Sequence, residues 1–269
     1  MAYQEVIGVE MFESKFNTTQ KIKLSGFNNL TKILSFNLYD FCIALSPEEK
    51  IQYVNYINTK YSAPRIAEIA RNICAIIEAN ILAESMQDYD PVGASTMTLM
   101  SDIKGGGEPL PAPTVKMHLD KSHITSHTYP DASDPDGICT FRVDIDIATC
   151  GEIIPLNAIN YLFEAFECDI VYIDYVVRGY TRLENGKKIY NDHHFNSIRD
   201  FIKPETLAQF SHASDINMPQ DNIWQTKLMI KEQGPDNYIL NPEDKNHPLI
   251  NEKMELLRKE MIEVYHMIH

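Results

Sequence analysis

Hydrophobic and polar residues alternate in several stretches of this chain, and a period of two predicts β-strands. The clearest stretch is residues 141–147, which read FRVDIDI and match an antiparallel strand with one face exposed to water. Strands are also predicted at residues 93–100, 170–180 and 223–230. Asn185-Gly186 is typical of a two-residue hairpin turn between two further short strands.

Three- and four-residue spacing of apolar side chains predicts helices elsewhere. Ser46-Pro47-Glu48-Glu49 forms a capping box that should start the first helix. A second helix is predicted after Ala63, with isoleucines as far as Ile81 on one face, and others from residue 155, at 197–202, at 204–212 and at 250–268. Because hairpins outnumber βαβ units, the order of elements predicts an α+β fold.

Composition excludes several classes of protein. The chain has 269 residues, 44% of them hydrophobic, which suits one large domain or two small ones. A formal net charge of -14 argues against nucleic acid and anionic membranes as partners and mildly favours a cationic small molecule. No apolar run approaches the roughly 20 residues of a membrane span, and the polar N-terminus predicts a cytoplasmic location. The five cysteines form no CxxC pair, so neither a disulfide framework nor a zinc site is indicated.

Residues 119–130, LDKSHITSHTYP, carry an unusual density of reactive groups. Ser122 follows Lys121, and histidines stand one and five positions after the serine. A hydrolase with a Ser–His pair is one hypothesis, although the GxSxG elbow is missing. A metal site is a second, disfavoured because no HExxH or carboxylate-bearing motif accompanies the histidines, which are His118, His123, His127 and a His193-His194 pair expected on the surface.

A third hypothesis is that the chain cuts itself. The hydroxyl of Ser122 can attack the carbonyl of Lys121 and turn the amide into an ester, and removal of the serine α-proton then expels the carboxylate by β-elimination. The resulting dehydroalanine tautomerises and hydrolyses, which releases ammonia and leaves a pyruvoyl group at a new N-terminus. Such a ketone can form a Schiff base with a substrate amine and accept the electron pair left by a departing carboxylate. A base for processing and an acid for the carbanion are also required.

At this point the sequence shows a resemblance. The segments HLDKSHITSHTYPD, FRVDIDIATCG and LSGFNNLTK, and VRGYTR with DHHFNSI, together resemble the S-adenosylmethionine decarboxylases in their longer bacterial form. The resemblance covers nearly the whole chain after about residue 21. It implies a two-layer α/β sandwich, with an antiparallel sheet covered on one face by helices. Residues 1–20 would be an N-terminal extension, and residues 21–269 a single domain cut into a β chain, 1–121, and an α chain, 122–269.

The resemblance also implies roles for individual residues. Ser122 would become the pyruvoyl group after cleavage of its bond to Lys121. His127 would be the base that takes the serine α-proton, and Thr114 would help to hold the reacting carbonyl. Cys150 would donate the proton that quenches the decarboxylated intermediate, since a thiol with a pKa of roughly 8.5 is largely protonated at pH 7. On the residues alone, Cys139, which precedes the same strand as Cys150, is a rival for that role.

Substrate contacts are implied less directly. Tyr129 stands where shorter relatives carry an aromatic residue near the adenine, although a core tyrosine would look the same in sequence. Asp131 stands where relatives place Glu, whose carboxylate would accept from the ribose hydroxyls. Asp is one methylene shorter.

The function implied is removal of CO2 from S-adenosylmethionine to make the aminopropyl donor for spermidine. The pyruvoyl group would be the cofactor, a requirement for Mg²⁺ is an expectation from relatives alone, and the partners would be the substrate and further copies of the chain in a homo-oligomer of αβ units. Two alternatives stay open from the sequence. The same mechanism could act on ornithine or arginine, or the chain could be a non-catalytic homologue that regulates an active partner.

Overall fold

The described chain is built around one large antiparallel sheet. The computed structural model describes residues 29–102, 122–183 and 185–268. Its strands are β1 (Thr31–Ile43), β2 (Ala79–Asp88), β3 (Ala94–Asp102), β4 (Ser122–Asp131), β5 (Ile138–Cys150), β6 (Ile170–Arg178), β7 (Thr181–Arg182), β8 (Lys188–Ile189), β9 (Phe210–Met218) and β10 (Ile223–Ile230). Eight of them form the sheet in the order β2-β3-β4-β5-β1-β6-β10-β9, and β7 and β8 form a separate hairpin.

Helices cover one face of this sheet, which we call the helix face. They are α1 (Pro47–Lys60), α2 (Ala63–Ile76) and α3 (Ile159–Ala165). Alternate side chains of the central strand β1 are fully buried beneath them, among them Leu34, Phe36 and Leu38. Each such side chain removed from water contributes about 1.5–3 kcal/mol. The helix face is therefore the main hydrophobic core.

The opposite face is here called the open face. In the described chain, helices cover it at one end only. There α5 (Ile250–His266) packs on Phe41, Ile170 and Tyr172. The remaining short helix, α4 (Pro204–Leu207), has no buried residues. In the described part of the chain, no helix has the length and apolar content that crossing a bilayer requires.

The α+β class with an antiparallel sheet covered by helices on one face is confirmed. The predicted capping box is confirmed in part. The Ser46 hydroxyl accepts from Glu49 N at 3.2 Å, but the Glu49 carboxylate accepts at 2.8 Å from Leu45 N, one residue before the N–H that a capping box uses. The alternating strand within β5 is confirmed, and so is a hairpin around Asn185-Gly186. Its connection is longer than the two residues predicted, because the last strand pair is Arg182 with Lys188. The segments 1–28 and 103–121, which include the predicted N-terminal extension, lie outside the described residues.

Two strands contradict the sequence prediction. The second helix ends at Ile76, and Ile81 lies in β2, which is exposed over nearly its whole length. The helix predicted at residues 204–212 is only the four residues of α4, and the chain then enters β9. Both missed strands are exposed edge strands, so neither shows the apolar alternation that marks a half-buried strand.

The capping box provides a test of the helix start. We expect Ser46→Ala to lower the free energy of unfolding by about 1 kcal/mol, because a backbone N–H of α1 loses its acceptor. Urea unfolding should be measured in a Ser122→Ala background, in which the predicted cleavage cannot split the chain. Ser62→Ala is the matched control, since Ser62 occupies the N-cap position of α2 without a side-chain hydrogen bond. Equal losses from the two variants would contradict the assignment.

Candidate active site

The alternation of β4 divides the reactive residues of the sequence between the two faces of the sheet. Ser122 lies on the helix face and is only 3% exposed. His123 and His127 are exposed on the open face, as are Tyr129 and Asp131 farther along the strand. Successive side chains of a strand point to opposite faces, so residues five apart, such as Ser122 and His127, cannot share one.

Ser122 and Cys150 are brought together by the pairing of β4 with β5. The two strands run antiparallel, with His123 opposite Ala148, so the start of β4 lies beside the end of β5. The backbone N–H of Cys150 donates to the Ser122 hydroxyl at 3.0 Å. The thiol of Cys150 is half-buried and belongs to the open face. The hydroxyl and the backbone that carries the thiol are thus in direct contact.

A turn directly after Cys150 closes this end of the sheet. Gly151 has φ +70°, a left-handed conformation that glycine adopts without strain. Thr149, one residue before Cys150, donates through its hydroxyl to the carbonyl of Ile153 at 3.2 Å. The position of Cys150 is therefore set by the strand on one side and by the turn on the other.

A buried lysine lies behind the turn, and sequence analysis missed it. Lys32 is 0% exposed, and its ammonium donates to the carbonyl of Gly151 at 2.8 Å and pairs with the carboxylate of Asp192. Asp192 also contacts Nδ1 of His193 at 2.7 Å, and Nε2 of the same ring lies 3.0 Å from the hydroxyl of Tyr175. The sequence signal was a charged residue at a core position of the alternating strand LTKILSF.

The prediction that His193 and His194 both lie on the surface is wrong for His193. His193 is 3% exposed and is stacked against Phe195, with 5.5 Å between the ring centroids. His194 is exposed, as predicted. The segment is not a strand, so its backbone can turn one histidine inward to a carboxylate that is itself buried. In the described ranges, no three His, Cys, Asp or Glu side chains are grouped as metal ligands.

His127 and Tyr129 lie far from Ser122 within the same chain. At about 3.3 Å per residue, His127 is about 16 Å further along β4, and Tyr129 is about 23 Å away. Their rings are 6.3 Å apart, and the guanidinium of Arg142 lies 5.3 Å from the Tyr129 ring. Arg142 is held by Asp144 through two hydrogen bonds of 2.9 and 2.6 Å. We call these four residues the Arg142 cluster.

Tyr129 is not a core tyrosine. Its side chain is 49% exposed, and the Arg142 guanidinium covers its ring. Asp131 is exposed at the end of β4 and accepts from Ser133 N at 2.8 Å, so one of its carboxylate oxygens is already engaged in a local turn. Lys121, Thr114 and His118, the other three residues named from the sequence, lie outside the described residues.

The structure separates Cys150 from its rival. Cys139 is fully buried on the helix face, opposite Cys42 in the pairing of β1 with β5, and burial raises the pKa of its thiol to about 11. Cys139 stands eleven residues before Cys150 in the same strand, so it lies at the far end of β5 from Ser122. Burial likewise raises the pKa of Cys74 to about 11. Of these cysteines, Cys150 is the one whose backbone N–H contacts Ser122.

Known proteins resemble this chain over most of its length. A family model described as S-adenosylmethionine decarboxylase matches residues 58–179. The S-adenosylmethionine decarboxylase proenzyme of Clostridium acetobutylicum is 46% identical over 265 residues, which is 94% of this chain and 96% of that protein. The proenzymes of Azotobacter vinelandii and Pseudomonas syringae pv. syringae are 45% and 47% identical, over 91% and 88% of this chain and 97% and 95% of their own.

Among solved structures, the adenosylmethionine decarboxylase from Aquifex aeolicus aligns with 65% of this chain and 99% of its own at 14% identity. The TM-score of 0.32 is too low for any argument from that likeness. The sequence matches, by contrast, run through almost the entire chain at close to half identity. The chain therefore belongs to the S-adenosylmethionine decarboxylase family.

Proposed function

We propose that the chain cuts itself between Lys121 and Ser122, and that the processed protein removes CO2 from S-adenosylmethionine. The products would be a β chain of residues 1–121 and an α chain of residues 122–269. The observation that carries the proposal is the 3.0 Å hydrogen bond from Cys150 N to the Ser122 hydroxyl. It sets the residue to be consumed beside the proposed proton donor. Membership of a family whose relatives are named proenzymes supports self-cleavage.

The contacts of Ser122 suit the processing step. Its hydroxyl accepts from Cys150 N, so one lone pair is occupied and the oxygen is held in place. The oxygen can then attack the carbonyl carbon of Lys121, which exchanges the C–N bond for a C–O bond. A base then takes the α-proton of Ser122, and the bond between Cβ of Ser122 and the ester oxygen breaks, so the carboxylate leaves with that electron pair. Water finally hydrolyses the product, and the nitrogen of residue 122 leaves as ammonia.

The residues around Ser122 also fit a pyruvoyl group at that position. When formed, the pyruvoyl group supplies a carbonyl that accepts electrons as CO2 departs. Cys150 would then deliver a proton to the substrate from the open face, where its thiol lies. Its half-buried position allows the thiol to face the substrate while the strand and turn fix its backbone.

The substrate is tested with S-adenosylmethionine labelled in its carboxyl carbon. We expect the processed protein to release labelled CO2 from this substrate and not from labelled ornithine or arginine, with and without added Mg²⁺ as separate arms. Ser122→Ala should remain a single full-length chain by intact mass and release none. Release of CO2 from arginine but not from S-adenosylmethionine would overturn the substrate assignment. A wild-type chain that stays uncut would overturn self-processing.

Cys150→Ala separates cleavage from turnover. Cleavage should still occur, since the backbone N–H that contacts Ser122 remains after the substitution. Turnover should fall by about 10²- to 10⁴-fold, which is the usual contribution of a general acid. Cys168→Ala is the matched control, because Cys168 is also half-buried but does not contact Ser122. Equal turnover in the two variants would remove Cys150 from the mechanism.

His127 poses a geometric problem that an oligomer solves. A base must come within about 3 Å of the proton it takes, yet His127 is about 16 Å along β4 from Ser122 in its own chain. Cys150 and His127 both belong to the open face, which α1, α2 and α3 leave uncovered. We propose that the protein is a homo-oligomer in which His127 acts on Ser122 of a neighbouring copy.

A mixing experiment tests this directly. His127→Ala and Ser122→Ala chains, carrying different tags, are expressed alone and together. Each alone should stay uncut. When both are present, the His127→Ala chain should be cut, because it retains Ser122 and its neighbour supplies His127.

Cutting of His127→Ala by itself would remove His127 as the base. If the two chains copurify but the His127→Ala chain stays whole, the base does not come from a neighbour. Failure to copurify would contradict the oligomer.

A further inference from the structure

Lys32 occupies a position where the core would ordinarily hold an apolar side chain. It points to the helix face of β1, in register with the buried Leu34 and Phe36, and none of its surface is exposed. Lysine is almost never fully buried unless it is paired, because its charge loses the solvation of water. A residue with this cost in the central strand invites a functional explanation.

Two contacts of the Lys32 ammonium involve Gly151, in the turn after Cys150, and the buried Asp192. The ammonium donates to the carbonyl of Gly151 at 2.8 Å and pairs with the Asp192 carboxylate. An ionised carboxylate only accepts hydrogen bonds, so Nδ1 of His193 is the donor in its 2.7 Å contact with Asp192. The pair is thus supported from behind by a buried ring.

Asp192 keeps its charge in this setting. Burial by itself would raise the pKa of Asp192, but the hydrogen bond from His193 and the charge of Lys32 outweigh burial and hold the pKa below its usual value. The carboxylate is therefore ionised at neutral pH. An ammonium tied to an ionised partner has little freedom to leave the Gly151 carbonyl.

We propose that the Lys32–Asp192 ion pair positions Cys150 and Ser122 by anchoring the carbonyl of Gly151. The inference rests on the proposed function and adds positioning residues to it, since neither side chain carries a reacting atom.

Gly151 follows Cys150 directly, and Cys150 N in turn holds the Ser122 hydroxyl. A shift of the Gly151 carbonyl therefore moves the peptide that carries the thiol and loosens the hold on the hydroxyl. A misplacement of about 1 Å can cost about 10²-fold in rate.

Lys32→Met/Asp192→Asn is the variant that separates positioning from stability. The two neutral residues remove both charges together, and replacing a buried ion pair as a unit is often neutral for stability. The Asn side-chain oxygen can still accept from His193, whereas the Gly151 carbonyl loses its donor.

We expect a melting temperature close to that of the wild type. Self-cleavage should be at least 10-fold slower, and kcat of the processed fraction should fall about 10- to 100-fold with KM unchanged within about twofold.

Lys60→Met is the matched control. Lys60 is also ion-paired, to Glu167 at 2.5 Å, but it contacts neither Ser122 nor the turn after Cys150. It should cleave and turn over like the wild type.

Gly151→Ala keeps both charges and strains the left-handed turn instead, so it tests the same contact should the double variant not fold. It should slow cleavage and lower kcat in the same way.

The outcomes are distinct. If the double variant folds, cleaves and turns over at wild-type rates, or if Gly151→Ala does so, the ion pair is structural only and the inference is wrong. A fall in melting temperature with unchanged kcat in the folded, processed fraction has the same meaning. A wild-type protein that is never cut, or that releases no CO2 from S-adenosylmethionine, defeats the proposed function instead.

Discussion

The pairing of β4 with β5 is the constraint on which the candidate site depends. Ser122 begins one strand and Cys150 ends the other, and only the antiparallel register with His123 opposite Ala148 brings the serine hydroxyl to the cysteine N–H. A slip of one residue would turn every side chain of β4 to the other face. Ile124 and the other buried residues of β4 prevent that slip, because it would expose them. The core that stabilises the sheet therefore also defines the site.

The same logic explains why a charge is tolerated in the core. Breaking a buried pair by removing one partner typically costs about 3–5 kcal/mol, whereas replacing both partners by apolar residues is often neutral or favourable. The Lys32–Asp192 pair is thus a weak source of stability. Its proposed contribution is positioning, because an ammonium bound to both a carboxylate and the Gly151 carbonyl fixes where that carbonyl lies.

Much of the fold could be predicted from the sequence, because local patterns carried it. The capping box at Ser46, the alternation within β5 and the Asn185-Gly186 turn each depend on residues close in sequence. The edge strands β2 and β9 could not be found this way. They are exposed and show no regular alternation, and they form strands because they pair with β3 and β10. The burial of His193 could not be predicted from local pattern either. Its partners are Asp192, in an irregular segment, and Tyr175, on a strand distant in sequence.

For the site, the spacing of the reactive residues along the chain is informative in itself. Ser122 and His127 stand five apart, and in a strand an odd separation places two side chains on opposite faces. Once the segment is taken as a strand, the spacing alone therefore predicts that the side chains of Ser122 and His127 in one chain lie on opposite faces.

The proposal that His127 is the base requires a second copy to present its Arg142 cluster to the Cys150 end of the first. On that proposal, the step that creates the cofactor requires assembly, which depends on protein concentration by mass action. A chain built this way would remain intact as a monomer and acquire its chemistry only in the oligomer.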